Sequence, residues 1–123
     1  MGKYSQKMIV VIDVTRCLIR IHRKTLEALE KPAYINLLIN PEKPSFAIMS
    51  SEKNQRSYRI PWEKLSVNGK SFELYCTELI RNIKAICKDW RGKGAYKLLG
   101  ELNSNSGIIQ FDMKKAVEVR GDL

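Results

Sequence analysis

The chain has 123 residues, of which 44% are hydrophobic and 28% are charged, and this balance argues against wholesale disorder. Twenty-two lysines and arginines against thirteen aspartates and glutamates give a net charge of +9, which favours nucleic acid, an anionic membrane or an acidic protein as partner. Residues 8–12 are apolar but far shorter than the roughly 20 residues of a membrane span, and they lack a signal-peptide cleavage pattern. We therefore expect a cytoplasmic protein with no membrane partner, residues 1–123 forming a single domain and residues 1–6 a flexible terminus.

The first predicted strands lie between residues 7 and 22. Residues 7–12 suit a strand, and Asp13 suits a turn or bulge before the alternating run 14–22. A hairpin and one long bent strand both fit this pattern. Within the run, apolar residues alternate with a set that includes Arg20 and His22, which predicts a sheet with one apolar face and one cationic face.

A short helix and a hairpin are predicted next. The helix covers residues 25–31 and ends there because the residue before Pro32 is kept out of the helical region. Residues 34–39 and 46–49 then read as two strands. The proline-rich segment 40–44 between them is typical of a hairpin loop, since proline fixes the turn torsions.

The longest predicted element is an amphipathic helix over residues 71–90. It follows an edge strand at 55–61 and a turn at 67–70. Its apolar residues recur at intervals of three and four, as expected for a helix that covers a core. They are Cys76, Leu79, Ile80, Ile83, Ile86, Cys87 and Trp90. The glycines at 92 and 94 suit the end of this helix.

The remaining segments complete an α+β fold. Residues 95–102 and 107–113 are predicted strands around a polar hairpin loop, and 114–119 is either a turn of helix or a last strand. We expect a mainly antiparallel sheet of five to seven strands. The long helix 71–90 and the short helix 25–31 pack on one face of this sheet.

Three cysteines, an odd number without CxxC spacing, are predicted to be small core residues in a reducing compartment. Cys76 and Cys87 point the same way on the predicted long helix, and Cys17 falls on the apolar face of its strand. The sequence therefore predicts neither disulfides nor a metal site, and no cofactor.

No catalytic pattern stands out. His22 is the only histidine, it lies among arginines and a lysine, and no carboxylate nearby in sequence would orient it. The carboxylates show no metal-binding or acid/base spacing, and no phosphate loop or serine elbow is present. We expect a protein that is not an enzyme.

The basic residues are the candidate binding site. On the predicted strands and along one edge of the long helix they would form a patch that tracks phosphates. The candidate nucleic-acid-binding residues are Arg16, Arg20, Arg23, Lys24, Arg56, Arg59, Arg81, Lys84, Lys88 and Arg91. The aromatic residues available to stack on bases are Tyr34, Tyr58, Trp62 and Tyr96. The alternative is a solvated basic surface without a ligand.

Residues 19–29, followed by 35–39 and 46–48, resemble the swapped-hairpin pattern of AbrB-type transition-state regulators and MazE-type antitoxins. Those families are small, basic, dimeric DNA binders that dock arginines from a dimer-wide sheet onto DNA. The resemblance covers about a quarter of the chain. It implies that Arg20, Arg23 and Lys24 face DNA. The whole chain is also similar to small proteins of Gram-positive bacteria, and its element order to the TATA-binding-protein-like fold.

Two functions remain open from the sequence. The first is a small basic module that binds nucleic acid through phosphate contacts in a regulatory or accessory role. The alternative is a protein-interaction or assembly subunit, homodimeric or with an acidic partner, that has no nucleic-acid role.

Overall fold

A computed structural model of the chain describes residues 8–65, 71–90, 93–103 and 105–119. Nine strands and two α-helices account for most of this part. The strands are β1 Met8–Asp13, β2 Leu18–Ile21, β3 Tyr34–Asn40, β4 Ser45–Ser51, β5 Tyr58–Arg59, β6 Phe72–Tyr75, β7 Ala95–Asn103, β8 Ile108–Asp112 and β9 Val117–Val119. The helices are α1 Arg23–Ala28 and α2 Thr77–Ile86, with 3-10 turns at Trp62–Lys64, Lys88–Trp90 and Met113–Lys115.

The strands form one antiparallel sheet in the order β5-β3-β4-β8-β7-β1-β2-β6, with β9 also paired to β7. The long strand β7 is what joins the two halves of this sheet. One edge of β7 pairs with β1, and its other edge pairs first with β9 and then with β8. Because neighbouring strands twist in the same sense, the sheet curls into a half-barrel whose two edge strands are β5 and β6.

The core fills the concave face of this half-barrel. Every second residue of the central strands points into it, including Ile12, Ile48 and Phe111, all of which are fully buried. The helices cover the two ends of the concave face with apolar side chains, such as Leu26 from α1 and Ile83 from α2. The opposite, convex face has no helix against it among the described elements.

Hydrogen bonds tie each helix to one end of the sheet. At the α1 end, the buried Thr25 hydroxyl accepts from the Ile9 N–H at 2.8 Å and donates to the Ile9 carbonyl at 3.0 Å. At the α2 end, the Cys76 N–H donates to the Cys17 carbonyl at 3.0 Å. The two helices are therefore held in place by the hairpin of β1 and β2.

The predicted α+β fold class, with a sheet of five to seven strands and a long helix over 71–90, is wrong. The sheet has nine strands, and residues 71–90 hold β6, the ten-residue α2 and the 3-10 turn Lys88–Trp90. The backbone of Cys76, with φ −148°, breaks the helical run. Phe72–Tyr75 fits a strand because apolar and exposed residues alternate there, and its four residues pair with β2.

Other elements follow the sequence more closely. The strands predicted at 34–39, 46–49, 95–102 and 107–113 are confirmed as β3, β4, β7 and β8. The short helix begins two residues early, the edge strand at 55–61 shrinks to β5, and β1 and β2 form a hairpin. The segment 114–119 contains both the end of a 3-10 turn and β9. The predictions for residues 1–6 and 67–70 lie outside the described residues.

Candidate nucleic-acid interface

Four of the ten predicted contact residues are engaged in ion pairs. The pairs are Arg16–Asp13 at 3.9 Å, and Arg20–Glu73, Arg23–Glu27 and Arg59–Glu63, each at 2.9 Å. The guanidinium of Arg59 also lowers the pKa of Glu63 by hydrogen bonding to it. A carboxylate this close offsets the positive charge that a phosphate would meet.

Arg23 serves the fold, since its side chain is only 13% exposed. Its Nη1 donates to the Leu65 carbonyl at 3.1 Å, and its guanidinium lies over the Trp62 ring at 5.2 Å from the centroid. Lys31 lies at the same distance from that ring, and the Trp62 indole donates to the Pro32 carbonyl at 2.7 Å. These contacts hold Trp62 beside α1. They engage both the Trp62 ring and the Arg23 guanidinium within the protein, so neither group is available to contact a nucleic acid.

The convex face around Arg20 is mixed rather than cationic. Arg20 lies opposite Val11, which lies opposite Lys97, while Glu73 faces Arg20 from the other side. Burial, and secondarily Lys97, lower the pKa of His22, so its imidazole adds no charge at neutral pH. This face therefore carries two cations and one anion in a row across four strands.

The exposed side of α2 differs, because its cations are unpaired. Arg81, Lys84 and Lys88 are exposed, and none forms an ion pair within the described ranges. Arg81 and Lys84 are three residues apart on one side of α2, and Lys88 follows in the 3-10 turn just after the end of this helix. At a rise of about 1.5 Å per residue they span about 10 Å.

Lys114 extends this row. It lines a cavity of about 610 Å³ together with Lys88, between the end of α2 and the 3-10 turn after β8. Asp89 and Glu118 line the same cavity and reduce its positive potential. We call the surface formed by Arg81, Lys84, Lys88 and Lys114 the α2 surface.

The other predicted cations are not part of the α2 surface. Lys24 is exposed on α1, at the opposite end of the sheet. Arg56 lines a groove of about 830 Å³ beside Glu78, near the start of α2. Arg91 lies outside the described residues.

Most of the aromatic residues that were predicted to stack on bases are buried or half-buried in the fold. Tyr96 is buried and stacked on Trp90 at 4.2 Å, and its hydroxyl donates to the Trp90 carbonyl at 2.6 Å. Tyr34 and Tyr58 are half-buried. Tyr75, which the sequence interpretation placed inside a helix, is 70% exposed. Its exposure depends on the pairing of β6 with β2, which the local sequence did not indicate.

Two further classes of site are not found within the described ranges. No group of three or more histidines, cysteines, aspartates or glutamates there could hold a metal ion. None of the helices there is both long enough and apolar enough to cross a bilayer. Comparisons with protein-family models, curated proteins and solved structures gave no significant match.

Proposed function

We propose that the protein is a small basic, non-enzymatic module that binds nucleic acid through backbone phosphates, with the α2 surface as its contact. The proposal rests on one observation: Arg81, Lys84 and Lys88 lie in an exposed row with no carboxylate partner among the described residues. The sheet arginines, in contrast, are paired. Binding would serve a regulatory or accessory role.

The dimensions of the row suit a phosphate backbone. Along the axis of a duplex, a span of about 10 Å covers about three base-pair steps, since the axial rise is about 3.4 Å per step. The helix can also present these side chains without disturbing the core, because Arg81 and Lys84 lie along the edge of the face that buries Ile80 and Ile83 and are themselves exposed.

Affinity is expected to be modest and insensitive to sequence. Asp89 and Glu118 lie next to the α2 surface and oppose a bound phosphate. The buried Trp90 and Tyr96 cannot stack on bases. We therefore expect backbone contacts without base readout, with dissociation constants in the micromolar range that weaken steeply with salt.

A salt titration tests this proposal. Fluorescence anisotropy with a short random duplex should show binding at about 50 mM salt that weakens steeply toward about 200 mM. The triple variant R81Q/K84Q/K88Q should lower the slope of log K against log salt by about 2.7, since each lost phosphate contact removes about 0.9. Glutamine is chosen because it keeps the helix propensity close to that of lysine and arginine.

The matched control is K24Q/K53Q/K64Q, which also removes three positive charges, but from exposed positions away from the α2 surface. It should change the slope by less than about 1. Equal losses in both variants would mean that only net charge matters. A loss confined to the control would move the contact toward α1, as the resemblance to AbrB-type regulators implies. No binding at the lowest salt would refute nucleic-acid binding itself.

One observation favours the alternative, a homodimeric assembly subunit without a nucleic-acid role. On the convex face, Leu99 and Val117 are 59% and 60% exposed, and Ile9 and Val11 are half-buried beside them. Exposed apolar groups that lie together often mark protein interfaces.

Light scattering separates this alternative from the first function. The alternative would be supported if the wild type is a dimer that does not bind DNA and if L99Q/V117Q is a monomer. A wild-type monomer would exclude it.

A further inference from the structure

Cys17 and Cys76 face each other at the end of the ladder between β2 and β6. The last paired residues of that ladder are Leu18 and Tyr75, so the next pair in register is Cys17 and Cys76. The Cys76 N–H donates to the Cys17 carbonyl at 3.0 Å, so these two residues are still hydrogen-bonded to each other one position beyond the ladder. Facing residues that share such a bond lie roughly 5.5 Å apart at Cα, inside the range of roughly 4.4–6.8 Å that a disulfide spans.

Both side chains also lie on the same side of the sheet. Within the ladder, two positions away from the cysteines on each strand, Ile19 and Leu74 face each other on the concave side. Cys17 and Cys76 lie just beyond the ends of β2 and β6, and both contact the same core cluster, which places them on that concave side as well. Both cysteines pack against the core and are half-buried.

The two thiols are free and weakly held. The Sγ of Cys17 lies 4.0 Å from the Val14 carbonyl, and the Sγ of Cys76 lies 3.8 Å from the Leu74 carbonyl. Such long sulfur contacts are weak, so neither hydrogen bond strongly opposes a rotation of its thiol. Cys76 also lines the open groove of about 830 Å³ at the start of α2, which gives a small oxidant access to it.

The local turn does not account for a cysteine at position 17. Cys17 has φ 55°, in the left-handed region that glycine and asparagine adopt most easily. A non-glycine residue held there costs about 1–2 kcal/mol. The turn alone would be less strained with glycine at this position, so the turn geometry does not explain why position 17 is a cysteine.

We propose that Cys17 and Cys76 form an oxidation site, a cross-strand dithiol that closes to a disulfide on reaction with a low-molecular-weight disulfide. The bond would join the turn between β1 and β2 to the start of α2 and would close a loop of about 60 residues. This proposal is independent of nucleic-acid binding.

The reaction proceeds by two thiol–disulfide exchanges. In the first, one cysteine thiolate attacks the small disulfide, forms a mixed disulfide and expels one small thiolate. In the second, the other cysteine attacks the protein sulfur of that mixed disulfide and expels the second small thiolate. Two electrons pass from the cysteine sulfurs to the small disulfide, and the two cysteine protons end on the two released thiols. Burial, and secondarily Cys17, raise the pKa of Cys76 to about 11, so little Cys76 thiolate is present at neutral pH and its attack is slow.

The test is oxidation of the folded chain with excess oxidised glutathione, followed by alkylation, trypsin digestion and mass spectrometry. Cleavage after lysine and arginine places Cys17 in the peptide 17–20, Cys76 in 71–81 and Cys87 in 85–88. We expect 17–20 to be linked to 71–81 in the wild type and in C87S. The link should be absent in C17S and C76S, whose remaining thiol should carry glutathione instead. Cys87 should stay reduced because it is buried against Met113 at 3.7 Å.

Glutathione adducts on both cysteines without a link, a link to Cys87, or disulfide-bonded dimers would overturn the proposal. The thermal midpoint supplies a second readout. Closing a loop of this length should raise it by roughly 10 °C in the oxidised wild type and C87S. An unchanged midpoint would overturn the proposal as well, because the native fold would then not be what brings the two sulfurs together.

Discussion

Replacing Phe111 with alanine is expected to lower the free energy of unfolding by about 3–5 kcal/mol. Phe111 is fully buried on β8, and its ring lies 6.0 Å from that of Phe46 on the neighbouring strand β4. Because β8 is hydrogen-bonded to β4 on one side and to β7 on the other, the strands cannot close over the space left by the ring. Urea denaturation followed by circular dichroism measures this loss.

Tyr75→Ala is the matched control, since it removes an aromatic ring from a strand where the side chain is 70% exposed. Its cost should stay within about 1 kcal/mol. Equal costs in the two variants would contradict the tight packing of Phe111 in the core on the concave face. A loss below about 1 kcal/mol in Phe111→Ala would also contradict it.

The hairpin of β3 and β4 was predictable because its information is local. Apolar residues such as Ile35 and Ile48 alternate with more exposed ones, and two prolines stop the pairing at the turn. The same holds for β7 and β8, whose loop is rich in asparagine and serine. In these segments, the alternation that defines each strand lies within a few residues of the turn that reverses it.

The error at residues 71–90 has a different physical origin. The run Phe72–Tyr75 is too short for its period to distinguish a strand from the first turn of a helix. It becomes a strand because β2 offers it a free edge, and Leu18–Ile21 lies some fifty residues earlier in the chain. Local sequence contains no information on that pairing.

The same division applies to the candidate site: groupings within one element could be predicted, and pairings between distant elements could not. Helical spacing groups Arg81 and Lys84 on α2, whereas the predicted continuous helix that added Lys88 to them ends at Ile86. The pairing of Arg20 with Glu73 could not be predicted, because the two residues are 53 positions apart and meet only through β2 and β6. Sequence patterns thus located the cations but not the carboxylates that neutralise some of them.

Lys114 shows what the fold adds. Its position beside Lys88 depends on the 3-10 turn after β8, where the Asp112 side chain accepts from the Lys114 N–H at 2.9 Å. The Met113 N–H is in turn bonded to the Pro44 carbonyl at 2.9 Å. These contacts fix the lysine next to the end of α2 although it is far from α2 in sequence.

Gly100→Ala should cost about 1–3 kcal/mol, although alanine is normally the smallest change a glycine can undergo. A Cβ at this position would lie 2.5 Å from Cε2 of Phe111 and 2.7 Å from Cγ2 of Ile109, both of which are fully buried. Strand β7 must therefore approach β8 without a side chain here. The control is Gly107→Ala in the loop before β8, where nothing lies within 4 Å but φ is +66°. Its cost should be about 1 kcal/mol, from the backbone alone.

A double-mutant cycle identifies Phe111 as the neighbour responsible. In Gly100→Ala/Phe111→Ala the added methyl group enters the space left by the ring, so the combined loss should be smaller than the sum by about 1 kcal/mol or more. Relief should be partial, because Ile109 remains in the way. Gly107→Ala touches neither residue and should add to Phe111→Ala within about 0.5 kcal/mol. Simple additivity for Gly100 would mean that β7 shifts away from β8 when the methyl group is added, and that the close approach of the two strands is not fixed by the core.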